Sequence, residues 1–141
     1  MNSFYTNNYP LINLYKKTSS DSEIVTQMIY GENFKIINEF SKWIKIKIKE
    51  DGYIGFIKKK KFTAYSKPTH KVSVLSADIY KNSDFKKKIG KLTYVSKIKV
   101  EKIISNFSMF ENKWIETKNI KPIQYEDKNI FKNIKIFKGI K

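Results

Sequence analysis

The sequence predicts an all-β chain of two small β-barrels in tandem, with a short C-terminal amphipathic helix. Three observations carry this expectation. Ile44, Ile46 and Ile48 alternate with Lys45, Lys47 and Lys49, and a strand with one face on a core and one in water alternates in this way. Turn chemistry brackets that run, with Gly31 before it and Glu50-Asp51-Gly52 after it, where a tight hairpin needs a positive φ. A weaker copy of the pattern returns later in the chain, the mark of an internal repeat.

Taken in order, residues 1–13 are polar and aromatic and contain Pro10, which suggests an arm leading into the first strand. That strand starts at Asn13-Leu14-Tyr15-Lys16, and the polar run Lys17-Thr18-Ser19-Ser20-Asp21-Ser22 forms a loop. Residues 23–30 return as a strand rich in β-formers. Phe34-Lys35-Ile36, then Trp43 to Lys49, then Tyr53-Ile54-Gly55-Phe56-Ile57 make a three-strand meander. The lysine run 58–61 with Phe62 closes the first domain, assigned to residues 1–66, as a solvated edge. Ser66-Lys67-Pro68-Thr69 reads as a linker.

The second domain is assigned to residues 70–125. Ile79-Tyr80-Lys81 echoes Leu14-Tyr15-Lys16, and Ile98-Lys99-Val100 echoes the entry to the meander. Lys113-Trp114-Ile115 matches either Trp43 or Gly55-Phe56, because residues 105–112 lack the Asp-Gly turn that would fix the alignment. One enlarged β-domain is the competing architecture. Residues 126–141 change period: Asp127 can cap, Ile130, Phe131, Ile134 and Phe137 fall at helical spacing, and Gly139 supplies a stop.

The 141 residues are 40% apolar and 15% aromatic, enough for packed cores, and no run approaches the roughly 18 apolar residues of a membrane span. The chain begins without the basic start and long apolar stretch of a signal peptide, which fits a cytoplasmic location; exported relatives are the alternative. The net charge of +16 invites a nucleic-acid reading. However, all 29 basic residues are lysine, and arginine is the side chain suited to bidentate phosphate and guanine contacts. Solvated lysine faces are the simpler reading. No glycine-rich phosphate loop is present, and with one histidine and no cysteine no zinc cluster is expected, so no cofactor is assigned.

Leu14-Tyr15, Ser22-Glu23, Thr26-Gln27, Tyr30-Gly31-Glu32, Trp43 and Asp51-Gly52-Tyr53-x-Gly55-Phe56 together resemble a bacterial SH3-like domain. The version most similar stands at the N-terminus of NlpC-type cysteine peptidases that cut γ-D-glutamyl bonds in cell-wall peptides, the bacterial dipeptidyl-peptidase SH3 type. The resemblance implies two tandem SH3-like barrels that gate or position a murein peptide for a catalytic domain in cis. It also implies that the C-terminal helix leads toward that domain. The enzyme half of the family is not matched. With no Cys and only His70, these residues cannot form the thiolate–imidazole pair such chemistry requires. No catalytic residue is therefore assigned.

In that family the first SH3-like domain borders the catalytic cleft and helps select peptides with a free N-terminal L-alanine. An ammonium group needs acceptors, which a phenol oxygen and a carboxylate supply. The resemblance points to Tyr53 for the phenol and Glu23 for the carboxylate. Tyr53 also reads as an ordinary half-buried hairpin aromatic, and Glu23 as a solvated carboxylate at a strand start. Trp43 and Trp114 read as packing residues, and His70 as an exposed linker residue. Two other functions stay open. A stand-alone peptidoglycan-binding module would use Tyr15, Tyr30, Trp43 and Tyr53 as an aromatic groove. A lysine-rich nucleic-acid-binding barrel would set aromatics in a basic groove, although no nucleic-acid partner and no membrane insertion are expected.

Overall fold

A computed structural model describes residues 4–84 and 86–125. These residues are all-β apart from one 3-10 turn at Thr117–Asn119, and every strand pairing is antiparallel. No helix among them is long and apolar enough to cross a membrane. The helix expected over 126–141 lies outside the described residues. The chain divides into two compact units, 1–67 and 68–141.

The first unit holds β1 (Tyr5–Thr6), β2 (Leu11–Tyr15), β3 (Ile24–Ile29), β4 (Asn33–Glu39), β5 (Trp43–Ile48), β6 (Ile54–Lys58) and β7 (Thr63–Ala64). They form one sheet in the order β3-β2-β6-β5-β4-β1-β7. Alternation sets the buried side: Ile12 and Leu14 of β2, Ile44, Ile46 and Ile48 of β5, and Ile57 of β6 join Met28 and Phe34 in the core. Burying each such side chain is worth roughly 1.5–3 kcal/mol. The intervening lysines of β5 stay on the wetter face, as the period-two pattern requires.

Residues 4–10 are not a free arm. Tyr5 pairs with Phe34 on one side and Ala64 on the other, so β1 lies between β4 and β7. The anchor is Asn7, which is fully buried. Its Nδ2 donates to the Tyr9 and Ile29 carbonyls at 3.0 Å each, and its Oδ1 accepts from the Tyr9 backbone N–H at 2.9 Å. A polar residue in a polar stretch gave no apolar signal of this role.

The second unit holds β8 (His70–Val72), β9 (Ser76–Tyr80), β10 (Lys88–Thr93), β11 (Lys97–Ile98), β12 (Lys102–Ile104), β13 (Phe107–Phe110), β14 (Lys113–Glu116) and β15 (Ile120–Pro122). Its sheets run β10-β9-β14-β13-β12 and β11-β8-β15. Val72, Ile79, Leu92, Ile98, Phe110 and Ile115 are among its buried residues. His70 is not in an exposed linker: it belongs to β8, pairs with Ile98 and Pro122, and is half-buried.

The two units share a bonding scheme. In the first, the Asn7 N–H donates to Glu32 O, the Gly31 N–H to Asn7 O and the Glu32 N–H to Ile29 O, at 2.8, 2.8 and 3.2 Å. In the second, Val72, Val95 and Ser96 donate to Ser96, Val72 and Thr93 at 2.8, 3.1 and 3.1 Å. Register also resolves the open alignment. Tyr15 pairs with Phe56, and Tyr80 pairs with Trp114, so Trp114 takes the place of Phe56. Phe107 takes the place of Trp43: each ring meets the β2 or β9 tyrosine edge-on, at 5.9 Å for Tyr15–Trp43 and 6.2 Å for Tyr80–Phe107. The missing Asp-Gly turn is replaced by Glu111-Asn112, at φ 46° and 59°, a left-handed pair that asparagine tolerates better than most residues.

Candidate functional site

The β5–β6 turn presents Tyr53. Gly52, at φ 77°, reverses the chain, and its N–H donates to Ile48 O at 2.9 Å. The Tyr53 N–H donates to Asp51 Oδ1 at 3.0 Å, while the Tyr53 carbonyl accepts from the Ile48 N–H at 2.9 Å. Asp51 therefore acts on the turn itself. Glu50 fastens the turn to β4, accepting from the Asn33 backbone N–H at 3.0 Å and from Asn33 Nδ2 at 3.1 Å. Held by its backbone, Tyr53 leaves half of its surface in solvent.

Glu23 comes from the long loop between β2 and β3. Its carbonyl accepts from the Lys16 N–H at 2.8 Å, and within the loop Ser22 Oγ donates to Ser19 O at 2.7 Å. The Glu23 side chain is exposed. Because Tyr15 opposes Phe56 in antiparallel register, the chain leaving β2 runs along β6 toward the Asp51-Gly52-Tyr53 turn. The loop that carries Glu23 and the turn that carries Tyr53 thus occupy the same end of this strand pair. Gly55 permits the approach: a Cβ there would lie 2.9 Å from Leu14 Cβ and 3.2 Å from Tyr15 O.

The aromatic groove is only partly assembled. Tyr15 and Trp43 pack edge to face, and Phe56, absent from the sequence-based set, sits beside Phe40 at 5.8 Å. Tyr30 is 3% exposed, so it cannot line a surface groove. Trp114 lies half-buried on β14 opposite Tyr80. Among the described residues no group of three or more His, Cys, Asp or Glu side chains could hold a metal ion. A phenol and a carboxylate at one end of a sheet can accept hydrogen bonds from a cationic or polar group.

These features, a meander entered through a long polar loop and closed by an Asp-Gly-Tyr-x-Gly-Phe hairpin, define a small SH3-like β-domain. Residues 14–62 match the family model of the bacterial dipeptidyl-peptidase SH3 domain. The fold is similar to that of an NlpC/P60 family protein from Bacillus cereus at 16% identity and a TM-score of 0.68, covering 90% of this chain and 58% of that one. NlpC2 from Trichomonas vaginalis matches with 13% identity and a TM-score of 0.36, covering 90% of this chain and 51% of that one. This chain therefore spans little more than half the length of the proteins it resembles. No curated protein matches it in sequence.

Proposed function

We propose that the chain is the non-catalytic, substrate-positioning part of an NlpC-type cell-wall peptide hydrolase, built from two tandem SH3-like barrels. The observation that carries this reading is the match of residues 14–62 to the dipeptidyl-peptidase SH3 domain. The likeness of fold to an NlpC/P60 protein across 90% of the chain supports the architecture, as does the bonding scheme common to the two units. In this reading the first barrel offers the Tyr53 phenol and the Glu23 carboxylate to the free ammonium of a murein peptide. The ligand contains L-alanine, D-glutamate and a diamino acid, and a catalytic domain in cis supplies the cysteine nucleophile.

Calorimetric titration of the chain with L-alanyl-γ-D-glutamyl-diamino acid peptide, and with its N-acetylated form, tests this. The expected result is binding of the free amine, loss of binding on acetylation, and roughly tenfold weakening in Tyr53→Phe, as for loss of one hydrogen bond to a charged group. Equal binding of both peptides, or none, would overturn the assignment.

A further inference from the structure

The tip of the β4–β5 hairpin lies at the opposite end of β5 from Tyr53, a six-residue strand away, about 20 Å. Three residues before the Phe40–Trp43 turn, opposite Lys45 and Ile46, the β-bulge between Ile36 and Asn38 leaves Ile37 outside the pairing. Ile37 is 41% exposed and Phe40 is 44% exposed. An isoleucine left exposed at a bulge, three residues from an exposed phenylalanine, wets apolar surface for no gain in the core.

Lysines surround the same tip. The Lys59 N–H donates to Lys42 O at 3.0 Å and Trp43 pairs with Lys58, so Lys58 and Lys59 lie beside Lys42, and Lys60 and Lys61 follow against Tyr9. Lys42 and all four lysines of the run are exposed. The sequence has no Asp or Glu from Phe40 to Lys49 or from Ile54 to Tyr65. Glu39 reaches Lys59 at 3.9 Å between largely exposed side chains, a contact that neutralises little.

We infer that this hairpin tip docks on an anionic lipid bilayer, with Phe40 and Ile37 entering the headgroup region and Lys42 and Lys58–Lys61 facing acidic headgroups. Charge complementarity selects an anionic partner, and a cluster of four to eight basic side chains is the usual scale of such attachment. The apolar pair selects a bilayer. A nucleic acid needs flat rings within the basic track, whereas Ile37 has no ring. Lysine in place of arginine agrees, since attraction to a charged surface needs point charges and no bidentate geometry. The second unit repeats the apolar half alone. Ile104, paired with Phe107, stands where Phe40 bonds Trp43 and is 50% exposed, but Glu116 stands where Lys58 does.

Co-sedimentation of the full chain with phosphatidylcholine vesicles, with and without added phosphatidylglycerol, tests the proposal independently of the Tyr53 assignment. Binding is expected only to the anionic vesicles and should weaken with salt. Each lysine near such a surface is worth about fivefold in partition, so Lys42→Gln/Lys59→Gln should lose roughly 25-fold. Phe40→Ser and Ile37→Ser, checked for fold by circular dichroism, should each weaken binding at constant charge. Equal binding to uncharged vesicles, no binding to either, or indifference to both apolar substitutions would overturn it. Lysine-dependent binding of single-stranded nucleic acid without vesicle binding would replace it with the polyanion reading.

Discussion

Gly55 meets Leu14 so closely that a Cβ added to the glycine would lie 2.9 Å from Leu14 Cβ. Leu14 is itself fully buried, and the Tyr15 carbonyl stands behind it, so neither neighbour can yield cheaply. Gly55→Ala is therefore expected to destabilise the first unit by about 1–3 kcal/mol, the range for overpacking. Urea unfolding followed by tryptophan fluorescence would measure it, since Trp43 lies three strand positions away on β5's pairing with β6.

Val95 and Gly31 occupy matching places in the two units, at φ 62° and 88°. A β-branched side chain in the left-handed region is strained by roughly 1–2 kcal/mol, and part of that is offset in glycine by its larger unfolded-state entropy. Val95→Gly should accordingly raise the thermal midpoint of the second unit slightly, while Gly31→Val should lower that of the first. Calorimetry on the two variants would show opposite shifts.

Asn7→Ala would leave the Tyr9 N–H and the Tyr9 carbonyl without their side-chain partner. A buried group stripped of its partner costs about 1–3 kcal/mol, and here the loss would release β1 from its place between β4 and β7. Faster amide exchange at Thr6 and Asn7 should accompany the lower stability.

Burial holds the His70 imidazole below its ordinary value of 6.5. The folded chain then takes up a proton less readily than the unfolded one, so stability from this group is complete above pH 6.5 and falls as pH drops through the lowered folded value. Its ring Nδ1 lies 2.7 Å from Thr69 Oγ1, and protonating that nitrogen would replace an acceptor with a donor. His70→Gln should flatten the loss of stability between about pH 7.5 and about pH 5, as measured by urea midpoints at each pH.

Much of the first unit was legible because alternation and turn chemistry agree there. Ile44 to Ile48, Gly52 and Phe56 each satisfy a local rule and the global sheet at once. β1 was not legible, since a two-residue strand carries no period and Asn7 works through hydrogen bonds instead of apolar burial. The alignment of Trp114 was beyond sequence because Glu111-Asn112 makes the turn without glycine; only the register against Tyr80 decides it. For Tyr53, pattern reading located the turn and the exposure, but motif likeness alone suggested a ligand. The hairpin escaped because the alternating run was taken no further than Phe34-Lys35-Ile36, and the bulge that sets Ile37 outside the pairing leaves no local signal.

The double pairing of Tyr5, with Phe34 on one side and Ala64 on the other, bears on how the chain is made. The first partner is about thirty residues away and the second about sixty, so the sheet closes through contacts of long sequence separation. A ribosome releasing the chain at about 5–20 residues per second would expose β2 to β6 for seconds before β7 emerges to complete the set. During that interval the flank of β1 that Ala64 will cover is an open strand edge. Folding of this unit is expected to finish in one step, once Thr63 and Ala64 have left the exit tunnel.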